Sequence, residues 1–268
     1  MAAAALACGC ATRSPWMTFA EYAKRRHPTP YILRWQLADA CLLYFGSDHV
    51  YDPGHPQVAH IERLWSALRP TIAFNEGGSP PALPTVAEAV ARHGESGLVR
   101  TLAARDRVEV HSLEPSYEAQ VLTLRATYTA EQIKLFYALL QMEQSYHQTS
   151  ERSPAATLDH VLHGLGTIPG LAGAPQNYTQ YSHACQRLLP ATPDCMRPPA
   201  AWLDPADTGA YTNVLSATLA QQRDEHMVTL LRGALRPGAR VFAVVGSSHV
   251  FMQEQALRRA LAARPTRL

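Results

Sequence analysis

Four short runs of apolar, β-branched and aromatic residues, each closing in a burst of small or turn-forming residues, restrict this chain more than any other feature. They are Ala40 to Phe45, running into Gly46-Ser47-Asp48-His49; Thr71 to Phe74, running into Asn75-Glu76-Gly77-Gly78; Arg107 to Leu113, stopping at Glu114-Pro115; and Arg240 to Val245, running into Gly246-Ser247-Ser248-His249. A continuous apolar run has no polar side to turn to water, so these runs read as strands buried on both faces, as in a parallel sheet. Helix-compatible stretches near residues 56–69 and 85–105 separate the first three, a βαβαβ pattern with right-handed crossovers. The expected fold is α/β: a mainly parallel sheet flanked by helices.

Thr129 with Gln132 three residues on marks a helix start, and Ile133, Phe136, Tyr137 and Leu140 keep helical spacing to about His147. Between residues 149 and 207 eight prolines, from Pro154 to Pro205, break the chain into short pieces. A structureless loop of that length is unusual inside one domain, so the segment reads as a partly helical insertion or lid. A long helix from about Gly209 to Leu235 then leads into the last strand. Residues 14–268 are read as one domain with that insertion.

Residues 1–13 form a separate question. The start, MAAAALACGC, resembles the end of a bacterial lipoprotein signal with Cys10 as the lipidated residue, although the usual basic n-region is missing. That reading puts the protein in the periplasm or on a membrane anchor; an ordinary Ala-rich N-terminus would leave it cytoplasmic. No stretch reaches the roughly 18 to 20 apolar residues of a membrane helix. Cys185 and Cys195 lie in a Pro-rich stretch and would pair in an oxidising compartment, whereas Cys41 sits in an apolar run and reads as an inert core thiol. A net charge of +2, with no basic run longer than Lys24-Arg25-Arg26, argues against nucleic acid as a partner.

Ligands of open α/β sheets bind at the carboxyl ends of the parallel strands. His49, Glu76, Glu114 and His249 all follow such ends, so residues far apart in sequence are expected at one rim. Two imidazoles and a carboxylate suit a divalent metal such as Mn²⁺, Co²⁺ or Zn²⁺, with His49, His249 and Glu76 as ligands. Glu114 would then be the base that activates water, and Glu118, four residues on, would complete a carboxylate pair. A motif glycine supplies a tight turn or a positive φ. The plainer alternatives are that each His caps a helix and that each Glu sits at a helix N-terminus because the dipole favours it there.

Periodicity singles out Arg223. With Leu219, Met227 and Leu230 it falls on the apolar stripe of the long helix, where an unpaired charge would cost several kcal/mol. It is expected to reach a carboxylate, Glu76 or Glu114, or an anionic substrate group; the alternative is a rim arginine that snorkels to water. Asp224 and Glu225 turn off the stripe and read as a solvated face. Asp48, His55 and His60 read as polar loop or helix residues.

Taken in order, GSDH at 46–49, NEGG with Glu76, Glu114, the Arg223 of RDEHM and GSSH at 246–249 resemble the TraB/PrgY/TIKI-like superfamily, which embraces GumN, ChaN and erythromycin-esterase relatives. The resemblance implies an α/β core whose two His, Glu and Arg gather at one site. It implies either a metal-dependent protease, an esterase with a His general base, or a haem-iron binder. Ser47 and Ser248 stand where the erythromycin-esterase branch has an acidic residue and further His, which argues against macrolide-esterase activity. No His-Glu-x-x-His helix and no Gly-x-Ser-x-Gly elbow occurs, which argues against ordinary zincins and serine hydrolases.

The leading expectation is a metal-dependent hydrolase of a peptide or ester bond in a peptide or small-molecule substrate, with Arg223 orienting a carboxylate or an oxyanion. The alternatives are a metal-free esterase with His49 as base, and a non-enzymatic iron- or haem-binding or regulatory lipoprotein presenting Tyr178, Tyr181 and His183.

Overall fold

A computed structural model describes residues 14–146, 153–173, 175–189 and 195–268. The expectation for Cys10 lies outside the described residues. In chain order the elements are α1 (Phe19–Tyr22), β1 (Tyr31–Gln36), β2 (Cys41–Ser47), α2 (Pro56–Leu68), β3 (Ile72–Asn75), α3 (Val86–Asp106), β4 (Glu109–Ser112), α4 (Tyr117–Leu124), α5 (Ala130–Tyr146), α6 (Pro154–Gly166), α7 (Tyr178–Leu188), α8 (Tyr211–Ala234), β5 (Arg240–Gly246), α9 (Ser247–Ala260) and β6 (Thr266–Arg267). A short 3₁₀ turn, Ala200–Trp202, precedes α8.

The fold is α/β, with one sheet in the order β4-β3-β5-β2-β1-β6. The four expected strands pair in parallel, β4 with β3, β3 with β5 and β5 with β2. Two further strands close the other side, β1 antiparallel to β2 and β6 antiparallel to β1. The sequence reading did not anticipate β1, which follows Pro28 and Pro30 and whose outer half alternates buried with exposed. β4 departs from the expectation of burial on both faces, because an edge strand has one neighbour and its residues run exposed and half-buried in turn.

Period-2 alternation sorts the central strands between two cores. Leu42, Tyr44, Val241, Ala243 and Val245 face α8 and α9, packing with Met227, Leu231, Val250 and Leu257. Leu43, Phe45, Phe242 and Val244 face α2 and α3, packing with Ile61, Trp65, Leu98 and Leu102. A third core is helical: Phe136, Leu139, Leu158, Leu162, Tyr181, Leu215 and Leu219 join α5, α6, α7 and the first half of α8. Helices α6 and α7 therefore share their core with α4 and α5, which precede them. Cys185 and Cys195 form a disulfide in this layer, and Cys41 is buried and free.

Two local features shape the rim at the carboxyl ends of the strands. Gly94, with φ 56° and ψ −147°, breaks α3 into two helical pieces, so that Glu95 opens the second piece. β5 lies between β2 and β3, so the loops leaving those two strands flank its carboxyl end, Gly246. Among the described residues no helix is long and apolar enough to cross a membrane.

Candidate active site

Gly246 is the meeting point. Its backbone N–H donates to Glu76 Oε2 at 2.6 Å, and a Cβ placed on it would lie 3.1 Å from His49 Nε2 and 3.4 Å from Glu76 Oε2. Gly46 likewise admits a close approach, since a Cβ there would come within 2.8 Å of the Ser247 backbone. Neither motif glycine has a positive φ. At Gly46 the surrounding backbone leaves no room for a side chain, whereas at Gly246 a methyl would press on the side chains of His49 and Glu76.

His49 stands at the mouth, its side chain 61% exposed, with Nδ1 2.6 Å from Oε1 of the buried Glu95. An acceptor on Nδ1 fixes the tautomer and leaves Nε2 to face the Gly246–Glu76 edge. The bond to Glu95 raises the His49 pKa and outweighs burial, with Glu76 adding in the same direction. The loop behind His49 is held by Gln57, whose side chain bonds both the N–H and the C=O of Asp48 at 2.8 Å.

Glu76 is buried among donors. Arg223 Nη2 lies 2.8 Å from its Oε1, and His249 Nε2 lies 3.3 Å from the same oxygen. Burial pushes its carboxyl up, but His249, Arg223 and the Gly246 N–H hold it well below the usual carboxylate range. Its backbone carbonyl accepts from Ser96 Oγ and, at 2.8 Å, from Asn75 Nδ2. Arg100 Nε in turn donates to Asn75 Oδ1 at 3.1 Å, so the loop is fixed from behind.

Arg223 reaches both expected carboxylates. Its Nε donates to Glu114 Oε2 at 2.8 Å and its Nη2 to Glu114 Oε1, a two-pronged contact of the kind that favours arginine over lysine. It sits on α8 between the helical core at Leu219 and the sheet core at Met227. His249 is 8% exposed, and its Nδ1 is 2.7 Å from Asp224 Oδ1. Burial opposes its charge, yet Asp224 and Glu76 overcome this and push its pKa up to about 10. Gln253 donates to the same Asp224 oxygen at 2.7 Å and accepts from Tyr44 at 2.7 Å, extending the network into the sheet core.

Several expected roles change. Glu114 is engaged by the guanidinium and is not a free base. Glu118 is exposed in the first turn of α4 and makes no contact with Glu114. The set His49, His249 and Glu76 does not fit a metal. His249 pairs through Nδ1 with Asp224 Oδ1, and its Nε2 faces Glu76 Oε1 rather than a point shared with His49. A guanidinium also already occupies the Glu76 oxygen that His249 faces. Among the described residues no group of three His, Cys, Asp or Glu side chains is arranged to hold an ion. Tyr181, expected to be exposed, is wholly buried, its hydroxyl donating to the Cys195 carbonyl at 2.6 Å; Tyr178 and His183 are exposed.

Two contributors were missed. Asp224 is buried, not solvated. The spacing argument that found Arg223 would have found it with Ala220, Val228 and Leu231. Glu95 had one signal, the lone Gly94 inside a helical stretch, which marks a break with a structural reason.

A cavity of about 470 Å³ opens over this cluster, lined by His49, Tyr51, Glu76, Arg92, Glu95 and Gln144. A larger one, about 740 Å³, lies at the opposite end of the strands among Arg34, Asp39, Arg69 and Arg240, remote from the paired His and Glu residues. No known protein family, curated protein or solved structure matches this chain.

Proposed function

We propose that the protein is a metal-independent hydrolase of an ester or amide bond, with His49 as the general base. The observation that carries this reading is the His49–Glu95 pair. A buried carboxylate holds one imidazole nitrogen at 2.6 Å, and the other nitrogen opens onto the cavity beside Glu76. Water placed between His49 Nε2 and Glu76 gives up its proton to Nε2 as its oxygen attacks the substrate carbonyl. The tetrahedral intermediate collapses as the leaving oxygen or nitrogen takes that proton back from His49.

The remaining charges support the same step. Glu114 fixes the plane of Arg223, whose Nη2 also holds Glu76 Oε1, so the carboxylate beside the attacking water is kept in place. His249 keeps Glu76 ionised and immobile. No serine nucleophile is needed: the Ser47 hydroxyl is buried and donates to the Val245 carbonyl at 2.9 Å.

The test is hydrolysis of a panel of esters and amides by wild type, His49→Ala and Glu95→Gln, with and without chelator. His49→Ala is expected to lower kcat/KM by about 10² to 10⁴-fold. Activity should rise with pH as His49 loses its proton, the acid limb lying above the ordinary histidine pKa. Glu95→Gln removes the carboxylate that raises this pKa, so the limb should move to lower pH. Full activity of His49→Ala, or activity lost to chelator and restored by added metal, would overturn the reading.

A further inference from the structure

We infer that the non-reacting part of the substrate is an uncharged apolar group, seated in a groove between α4, α5 and α6 beside the hydrolytic cavity. This rests on the hydrolase reading above and adds the substrate class. The groove encloses about 380 Å³ against Tyr117, Tyr137, Val161, Leu165 and Ile168, with Gln141 and His160 at its polar edge. Among the described residues no Asp, Glu, Lys or Arg lines it. It therefore offers no Asp, Glu, Lys or Arg side chain to pair with a carboxylate, a phosphate or an ammonium, and burying such a charge there would be costly.

The groove and the hydrolytic cavity each take part of their wall from α5. Tyr137, Gln141 and Gln144 fall at i, i+4 and i+7 of α5, hence on one face. The first two line the groove and the third lines the cavity with His49 and Glu95. Gln141 and Gln144 are separated by about 4.5 Å of helix rise, a distance shorter than a six-carbon ester. The wall is also fixed to the site. Tyr137 donates to Gln120 Oε1 at 2.8 Å, and Gln120 Nε2 donates at 2.8 Å to the carbonyl of Pro115, the residue after Glu114.

Apolar surface is left open in both places. Tyr51 in the cavity and Tyr117 in the groove are 62% and 48% exposed, although both are large rings. Tyr117 meets Tyr137 edge to face, with centroids 5.5 Å apart and planes at 74°, which holds an aromatic wall at the groove mouth. A wall of this kind, with few polar groups at its edge, is typical of a small-molecule site.

The experiment compares methyl acetate with methyl hexanoate and hexyl acetate, which carry the apolar chain on either side of the ester. Binding of hexanamide and acetamide to His49→Ala is measured in parallel by calorimetry. At least one hexyl ester should exceed methyl acetate by about 10-fold in kcat/KM, and hexanamide should bind about 10-fold tighter than acetamide. Val161→Asp should abolish both preferences, read as the ratio of hexyl-ester to methyl acetate kcat/KM and of hexanamide to acetamide affinity within the same variant. Tyr117→Asp, at a half-exposed position where folding is little disturbed, should weaken them in the same sense. Equal turnover of all three esters, or a uniform loss in both variants, would overturn the groove and leave the His49 chemistry standing. Chain-dependent amide binding that Val161→Asp removes, without hydrolysis of any ester, would keep the groove and overturn the chemistry.

Discussion

His249 is the residue on which the site's electrostatics turn. Its charge exists because Asp224 and Glu76 lie on either side of a buried imidazole. Its pKa is about 10 in the folded protein, against about 6.5 in the unfolded chain. A pKa raised on folding contributes stability in full below the unfolded value and loses it as pH climbs through the folded one. The denaturation midpoint should therefore fall between about pH 6.5 and pH 10, and Asp224→Asn should flatten that slope. Asp224→Asn should also cost about 3 to 5 kcal/mol at neutral pH, since it leaves a buried charge with one partner fewer. Arg223→Lys tests the neighbouring pair: a lysine cannot bond both Glu114 oxygens with Nε and Nη2 in one plane, so activity should drop by about 10-fold or more. Part of this was legible in the sequence. Arg223 declares itself by standing on an apolar stripe, and the two histidines by following strand ends. Asp224 carried the same signal through Ala220, Val228 and Leu231, whereas Glu95 had only the helix break at Gly94, and which imidazole each carboxylate meets depends on the facing element.

At the scale of elements, two glycines set the distances. Gly94 has φ 56°, and a Cβ there would meet the Val50 carbonyl at 3.2 Å. Gly94→Ala should cost about 1 to 3 kcal/mol from a positive-φ backbone conformation that side chains other than glycine rarely adopt. Because Glu95 follows it directly, the acid limb of the activity profile should also move down, as in Glu95→Gln. Gly246→Ala is a sharper probe, since its backbone is ordinary and the added methyl points at His49 Nε2 and Glu76. It should reduce kcat/KM by about 10- to 100-fold while the melting temperature stays close to that of the parent. The four parallel strands, α2, α3, α5 and α8 are all visible as sequence patterns, because burial on one or two faces leaves a pattern that a local window reveals. The strands β1 and β6 are not: β6 is two residues at the sheet edge, and β1 follows a proline-rich stretch and is completed by pairing with β6 at the far end of the chain.

At the scale of the molecule, α8 joins the helical core to the sheet cores and carries Arg223 and Asp224 at the junction. The Cys185–Cys195 disulfide closes a short loop within the helical layer. Replacing both cysteines by serine should lower stability by about 2 to 3 kcal/mol. Faster hydrogen exchange should appear first in α6 and α7 and spare β2 and β5, which lie in the other two cores. The apolar runs and their turn-rich endings determined the α/β class, the parallel sheet and the rim at which His49, Glu76, Glu114 and His249 collect, because hydrophobic periodicity is a local property. Only the tertiary structure decided how those groups divide the protons among them. By setting β5 between β2 and β3 and folding α8 across the rim, it surrounded Glu76 with two cations and left His49 alone with Glu95. Protonation follows from distances across elements, and those distances are fixed by packing that no single stretch of the chain encodes.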